Sequence, residues 1–167
     1  MDNFYEQLET TSKTKKYLIY RNGMYVFGVF AVAFLFSFSI IPCVIAALIT
    51  VGAFFMKKKA YVEYEYVFTN GEIDVDAIYE MKKRKRIVSF NVKDIELLAE
   101  AESSDVKGFS NKPDRELLAH PQETTKKPYI AMITGGTERL QLIFTPDEGF
   151  INMCAKYNPR AVKKYFR

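Results

Sequence analysis

Apolar and polar positions are segregated along this chain. A run without a single charged residue extends from Met24 to Met56, and the sequence on either side of it is strongly polar. As one uninterrupted helix the run would be roughly 50 Å long at 1.5 Å per residue. That exceeds a hydrocarbon core of about 30 Å and would demand a tilt above about 50°, outside the usual range. The pattern therefore predicts two membrane helices: a first from about Tyr17, with Arg21 snorkelling to the surface, a turn around Ser39 to Pro42, and a second to about Met56. Proline suits the start of a helix, where its missing N–H costs nothing. The second helix is then only about 15 residues, short of the usual span. Lys13, Lys15, Lys16 and Arg21 precede the run and Lys57, Lys58 and Lys59 follow it, which by the positive-inside rule puts both ends in the cytoplasm. Tyr17, Tyr20 and Tyr25 at one end and Phe54, Phe55 and Tyr61 at the other are placed as interfacial belts. A single tilted span and a processed N-terminus are the competing readings. Against processing, the apolar stretch is too long for a signal peptide, and Pro42 in "SIIPC" stands where a lipoprotein anchor at Cys43 needs a small residue.

Beyond Lys59 the period changes to two. Val62, Tyr64, Tyr66 and Phe68 alternate with Glu63, Glu65 and Val67, and Ile73, Val75 and Ala77 alternate with Asp74 and Asp76. Between these runs stands Asn70-Gly71, the pair best suited to a type I′ turn, so the stretch predicts a β-hairpin. Strands are expected at about Arg86 to Asn91 and Ile95 to Ala99, and two more across Gly135-Gly136. A C-terminal helix is announced by Thr145 as N-cap, Pro146 at its first position and Glu148 closing a capping box. Phe150, Ile151, Cys154 and Tyr157 form its apolar stripe, and Asn158-Pro159 ends it. From about residue 100 to 128 the pattern lapses into a polar insert, read as a mobile or functional loop with one helical turn at Asp114 to Ala119.

Length and charge narrow the picture. The 167 residues suffice for one domain plus a membrane segment. The net charge of +4 is modest, and the basic residues cluster beside the apolar run instead of covering one broad face, a distribution that favours membrane phosphates over nucleic acid. The two cysteines, Cys43 and Cys154, lie in the apolar run and the C-terminal helix, so a reduced, cytoplasmic setting is expected.

Candidate chemistry is sparse, and no cofactor is expected. The one histidine, His120, lies in the polar insert with no cysteine or serine motif to activate, and with two distant cysteines it makes no tetrahedral zinc site. Glu72, Asp74 and Asp76 share one face of a strand and could attract a divalent cation, but an exposed polar sheet face is the plainer reading. Gly135-Gly136 lacks the lysine and following helix of a phosphate loop and reads as a turn. The strongest contact candidates are Lys57, Lys58 and Lys59 and the basic turn Lys82, Lys83, Arg84, Lys85 and Arg86. Anionic lipid headgroups would be worth about 1 kcal/mol per basic residue near the surface. A merely solvated hairpin tip is the alternative. Nucleic acid is disfavoured because no aromatic stacking motif accompanies the charges.

The order "MDNFYEQL", basic linker, apolar hairpin, "YEYVFTNGEIDVD", "KKRKRIVSFNVKDIELLA" and "LIFTPDEGFINMCAKYNPR" resembles a family of small membrane proteins from clostridia and related Gram-positive bacteria to which no activity is assigned. Phe68-Thr69-Asn70, the strand Ile87-Val88-Ser89-Phe90 with Ile95, and the helix after Thr145 also resemble the bacterial PH-like domains that follow paired membrane helices. That likeness implies an α+β fold, with a transmembrane helical hairpin at 17–59 and a cytoplasmic PH-like barrel at 60–167, after a cytoplasmic segment at 1–16. About six strands are legible where a PH-like barrel has seven. The expected role is a non-enzymatic, membrane-anchored adaptor or accessory module of the cell membrane, its partners the bilayer and another membrane protein. The alternative is a subunit of a transport or envelope-stress complex that works through its helices, with Gly28, Ala31, Ala46, Ala47, Gly52 and Ala53 allowing close packing.

Overall fold

The computed structural model describes residues 3–11, 14–121 and 124–164. Lys13, one of the basic residues flanking the apolar run, lies outside them. The chain is α+β and divides into two units, Thr11–Val62 with Tyr79–Met81, and Met1–Thr10, Glu63–Ile78 and Lys82–Arg167.

The first unit contains two helices, α1 (Lys15–Phe36) and α2 (Ile40–Ala60), each long and apolar enough to cross a bilayer. The chain reverses at residues 37–39, earlier than the expected turn at Ser39 to Pro42. Phe38 takes a positive φ of 54°, and the amides of Ser37, Phe38 and Ser39 donate back to Ala33, Leu35 and Phe34. Pro42 is the third residue of α2, still within the first turn, where an amide has no helical partner to lose. Starting two residues before Pro42 and running on through the three lysines gives α2 21 residues. That removes the length shortfall expected from the sequence, because lysines are good helix formers and sit well beside the negative end of the helix dipole. Cys43 Sγ donates to the carbonyl of Ala31, Thr14 Oγ1 to that of Ala60 at 3.2 Å, and the rings of Tyr17 and Tyr61 lie 5.4 Å apart.

The second unit holds two four-stranded sheets, and more strands than the six read from the sequence. In the first sheet, β1 (Phe4–Glu9), β2 (Val62–Thr69), β3 (Glu72–Tyr79) and β4 (Lys83–Asn91) follow in sequential order. The segment 1–16, expected to stand apart from the β domain, supplies β1, which pairs antiparallel with β2. The β2–β3 turn is the predicted one, with Asn70 at φ 51° and Gly71 at 99°; the Tyr157 ring comes within 3.0 Å of where a Cβ on Gly71 would sit. A 3-10 turn at Val92–Asp94 leads to the second sheet, ordered β5 (Ile95–Glu100), β7 (Tyr129–Ile133), β8 (Leu140–Phe144), β6 (Arg115–Ala119). The two sheets do not close into a barrel, which corrects that expectation.

The described part of the polar insert holds a short helix and a strand. The helix is the short α3 (Ser104–Lys107), whose Val106, with Phe109 just beyond its end, packs on Leu97, Ala99, Ile130 and Met132. Asp114 to Ala119, expected as a helical turn, is instead largely β6, parallel to β8. Helix α4 (Glu148–Tyr157) starts later than expected: its N-cap is Asp147, whose Oδ1 accepts from Phe150 N at 2.8 Å, while Thr145 is buried beside the hydroxyl of Tyr66. The core joins both sheets and α4 through Tyr66, Phe68, Ile73, Val75, Leu98, Leu142, Phe144, Phe150, Ile151 and Cys154. Burial pushes the Cys154 thiol up to about 12. The free edge of β5 is covered by the chain after α4, through Leu98 N to Ala161 O and Lys163 N to Leu98 O.

Candidate functional site

Two places hold the basic residues singled out in the sequence. The first is the end of α2 together with the β3–β4 tip. Lys57 Nζ lies 2.9 Å from Glu80 Oε1, Lys58 Nζ sits 4.1 Å above the Phe54 ring, and Lys59 is exposed. The tip turns on Glu80 and Met81, with φ of 49° and 57°, the pair of positive angles that a type I′ hairpin turn requires. Neither residue is glycine or asparagine, so the conformation carries roughly 1–2 kcal/mol of strain per residue. It is held by the amide of Glu80, which donates to Tyr61 O at 3.0 Å, and by the Lys57 pair. Met81 is 68% exposed at the apex.

The second place is the outer face of the first sheet. Alternation turns Tyr66 and Phe68 of β2 and Ile73, Val75 and Ala77 of β3 to the core, leaving Glu63, Glu65, Asp74 and Asp76 on the other face. That face is not the solvated polar surface expected, because Glu63, Glu65 and Asp76 are buried. Two arginines of β4 cover much of it. Arg84 donates to Glu65 Oε1 at 2.6 Å and reaches Asp76 Oδ2 at 3.9 Å. Arg86 holds Asp76 Oδ1 at 2.5 Å through Nε and Asp74 Oδ1 at 2.6 Å through NH1, and Ser89 Oγ donates to the same Asp74 oxygen. The hydrogen bond to Asp76 raises the Arg86 pKa further above its ordinary value. Burial pushes the Glu65 carboxyl above the usual carboxylate range, Arg84 pulls it back, and the charges of Glu6 and Asp76 push it up again.

The basic turn thus splits into two sets. Arg84 and Arg86 are engaged within the protein, whereas Lys82, Lys83 and Lys85 are exposed and form no ion pair among the described residues. Sequence reasoning missed Glu80 as the partner of Lys57, and Glu65 as the partner of Arg84. Neither pair leaves a local signal, since Lys57 on a helix and Glu80 in a turn are more than twenty residues apart, and Glu65 and Arg84 stand on β2 and β4 with β3 between them. His120, at the end of β6, is half-buried and donates through Nδ1 to the Pro121 carbonyl at 2.8 Å. Gly135 lies in the β7–β8 connection, where the Asp94 carboxylate occupies the space a Cβ would take.

Residues 1–164 match the family described as Bacterial PH-like domain (DUF6106), and the chain belongs to it. No curated protein and no solved structure matches the chain. The two sheets with a C-terminal helix fit the PH-like assignment, with the barrel left open.

Proposed function

We propose that this bacterial PH-like protein is a non-enzymatic, membrane-anchored interaction module whose exposed lysines read anionic headgroups at the cytoplasmic surface. In this reading α1 and α2 cross the bilayer as a hairpin, and both of its ends lie in the cytoplasm with the β domain. The observation that carries the proposal is the Lys57–Glu80 pair with the Glu80 N to Tyr61 O hydrogen bond. Together they tie the β3–β4 tip to the last turns of a helix whose apolar stretch ends at Met56. Met81 is then at the level where hydrocarbon gives way to headgroups, and Lys82 and Lys83 follow it directly in the chain. Lys58 and Lys59 add charge at the same boundary. The sequence flagged eight basic residues at these positions; Lys57, Arg84 and Arg86 act structurally, and the lipid-facing role falls to Lys58, Lys59, Lys82, Lys83 and Lys85. At about 1 kcal/mol per surface lysine, three of them bias the orientation of a tethered domain strongly.

The test uses the full chain in nanodiscs of zwitterionic lipid, with and without anionic lipid. Energy transfer is measured from a donor on Ser110→Cys to a headgroup acceptor, in a background without Cys43 and Cys154. Anionic lipid brings the donor closer to the bilayer, and Lys82→Gln, Lys83→Gln and Lys85→Gln combined abolish the approach. Identical transfer in both lipids for the unsubstituted domain would remove the headgroup role.

A further inference from the structure

Strand β1 places two kinds of residue on its two faces. Tyr5, Gln7 and Glu9 stand opposite Phe68, Tyr66 and Tyr64, so they belong to the core side. Gln7 there donates to Thr145 O and accepts from Asp147 N, and Tyr5 donates to Asp147 Oδ2. Phe4, Glu6 and Leu8 stand opposite Thr69, Val67 and Glu65 on the outer side. Phe4 is 57% and Leu8 48% exposed, at an edge strand of the first sheet. Two large apolar side chains and a carboxylate therefore alternate on an outward face that needs none of them for the core.

Beside them is a group with an unfilled requirement. The Glu65 side chain is only 5% exposed; Arg84 satisfies its Oε1, and its Oε2 has no hydrogen-bond partner. Other buried carboxylates of this domain are better served. Asp76 has Arg86 on both oxygens, at 2.5 and 3.5 Å, and Glu9 has Lys126 at 2.5 Å. Glu6, exposed on the next strand, comes within side-chain hydrogen-bond reach of Glu65 and forms no ion pair among the described residues, so the two carboxyl groups repel when both are ionised and are held together only by a shared proton or a cation between them. A buried acceptor left unmatched destabilises the fold, and a cationic hydrogen-bond donor is what would offset it.

We propose that the outer face of β1 and β2 is a docking site for a lysine or arginine side chain on a partner protein. The stem lies on Leu8 and Phe4, and the head group pairs with the exposed Glu6 and, as the Glu6 side chain moves aside, reaches the buried, unpartnered oxygen of Glu65. The partner segment is cationic and apolar in alternation, the pattern of an extended strand laid along β1. Its chemistry is opposite to that of the exposed lysines, because carboxylates repel lipid phosphate. The same domain therefore holds a lipid with one surface and a basic protein with another. This inference rests on the interaction-module reading and not on the lipid contact.

The experiment uses the full chain in nanodiscs of phosphatidylcholine alone, so that failure of the anionic-lipid reading leaves it untouched. The probe is a fluorescent peptide of alternating arginine and leucine, read by anisotropy at physiological salt with binding to empty nanodiscs subtracted. Glu6→Gln and Glu65→Gln each weaken binding roughly tenfold, Leu8→Ser weakens it severalfold, and Glu102→Gln, an exposed carboxylate elsewhere on the domain, leaves it unchanged. A peptide of alternating arginine and glycine binds severalfold more weakly than the leucine peptide. Because Glu6 and Leu8 are exposed, their variants keep the fold. Absence of binding, or equal loss with Glu6→Gln and Glu102→Gln, would overturn the site.

Discussion

The helical unit and the β unit use the same apolar residue types in opposite ways. Helix α1 buries no residue and α2 only Ala46, while Leu35, Phe36 and Leu48 are 66%, 80% and 67% exposed. In the β unit Tyr66, Phe68, Phe144 and Phe150 are at most 1% exposed. A helix satisfies its own backbone hydrogen bonds, so its side chains can all face hydrocarbon. A sheet of this size must bury one face against another element, and here α4 and the second sheet supply it. Phenylalanine therefore means core in one half of this protein and outer surface in the other, a surface that faces lipid in the proposed reading.

The largest effect that could break this comparison is at the centre of the core. Phe150 touches the rings of Tyr5, Tyr66, Phe68 and Phe144. Phe150→Ala lowers the stability of the β domain by about 3–5 kcal/mol, a large part of a typical total of about 5–15 kcal/mol, whereas Phe36→Ala changes it by less than about 0.5 kcal/mol. Urea unfolding of the full chain in micelles, followed by near-ultraviolet circular dichroism, separates the two; similar midpoints would break the comparison.

A charge on the other side of it comes next. Leu48→Arg makes insertion of α2 less favourable by about 3 kcal/mol, read as a fall in the inserted fraction in a translocon glycosylation assay. Unchanged insertion would mean that α2 does not face lipid.

Within the basic turn the division between engaged and exposed residues can be sharpened. Arg86→Ala leaves the buried Asp76 without its main partner and costs about 1–3 kcal/mol, with water replacing part of the loss because Arg86 itself is half-exposed. Lys83→Ala stays within about 0.5 kcal/mol. Equal urea midpoints for the two variants would show that the ion pairs on the outer sheet face do not stabilise the fold.

The smallest effect is a slope in pH. The folded Glu65 carboxyl keeps its proton to higher pH than in the unfolded chain, so the folded state binds more protons across that interval and stability falls as pH rises through it. Glu65→Gln removes this contribution. Its stability relative to wild type therefore increases from about pH 4 upward and levels off above the folded pKa; a relative stability that falls over the same range would reverse the sign assigned to Glu65.

The parts of the fold legible in the sequence are those fixed by local pattern. The charge-free run gave two helices because a single straight one is too long for a bilayer without an unusual tilt, and Asn70-Gly71 gave a hairpin because both residues tolerate positive φ. Strand β1 was invisible because "FYEQLE" alternates only weakly, and its partner lies more than fifty residues away in β2. Strand β6, "RELLA", has the composition of a helix and is extended only because β8 pairs with it. The N-cap moved from Thr145 to Asp147 because Tyr66, deep in the core, claims the Thr145 hydroxyl. The lysines of the candidate site were plain in the sequence. What Arg84 and Arg86 do was not, since it depends on which strands stand side by side.

In the proposed reading the helical unit crosses a membrane twice and leaves the β domain on the cytoplasmic side. Thiol labelling in intact cells tests it most directly, using a membrane-impermeant maleimide on Ser37→Cys, in the turn, and Ser110→Cys, on the β domain, both in a Cys43→Ala and Cys154→Ala background. The expected result is that Ser37→Cys reacts from outside and Ser110→Cys only after lysis. Reaction of Ser110→Cys in intact cells would contradict it.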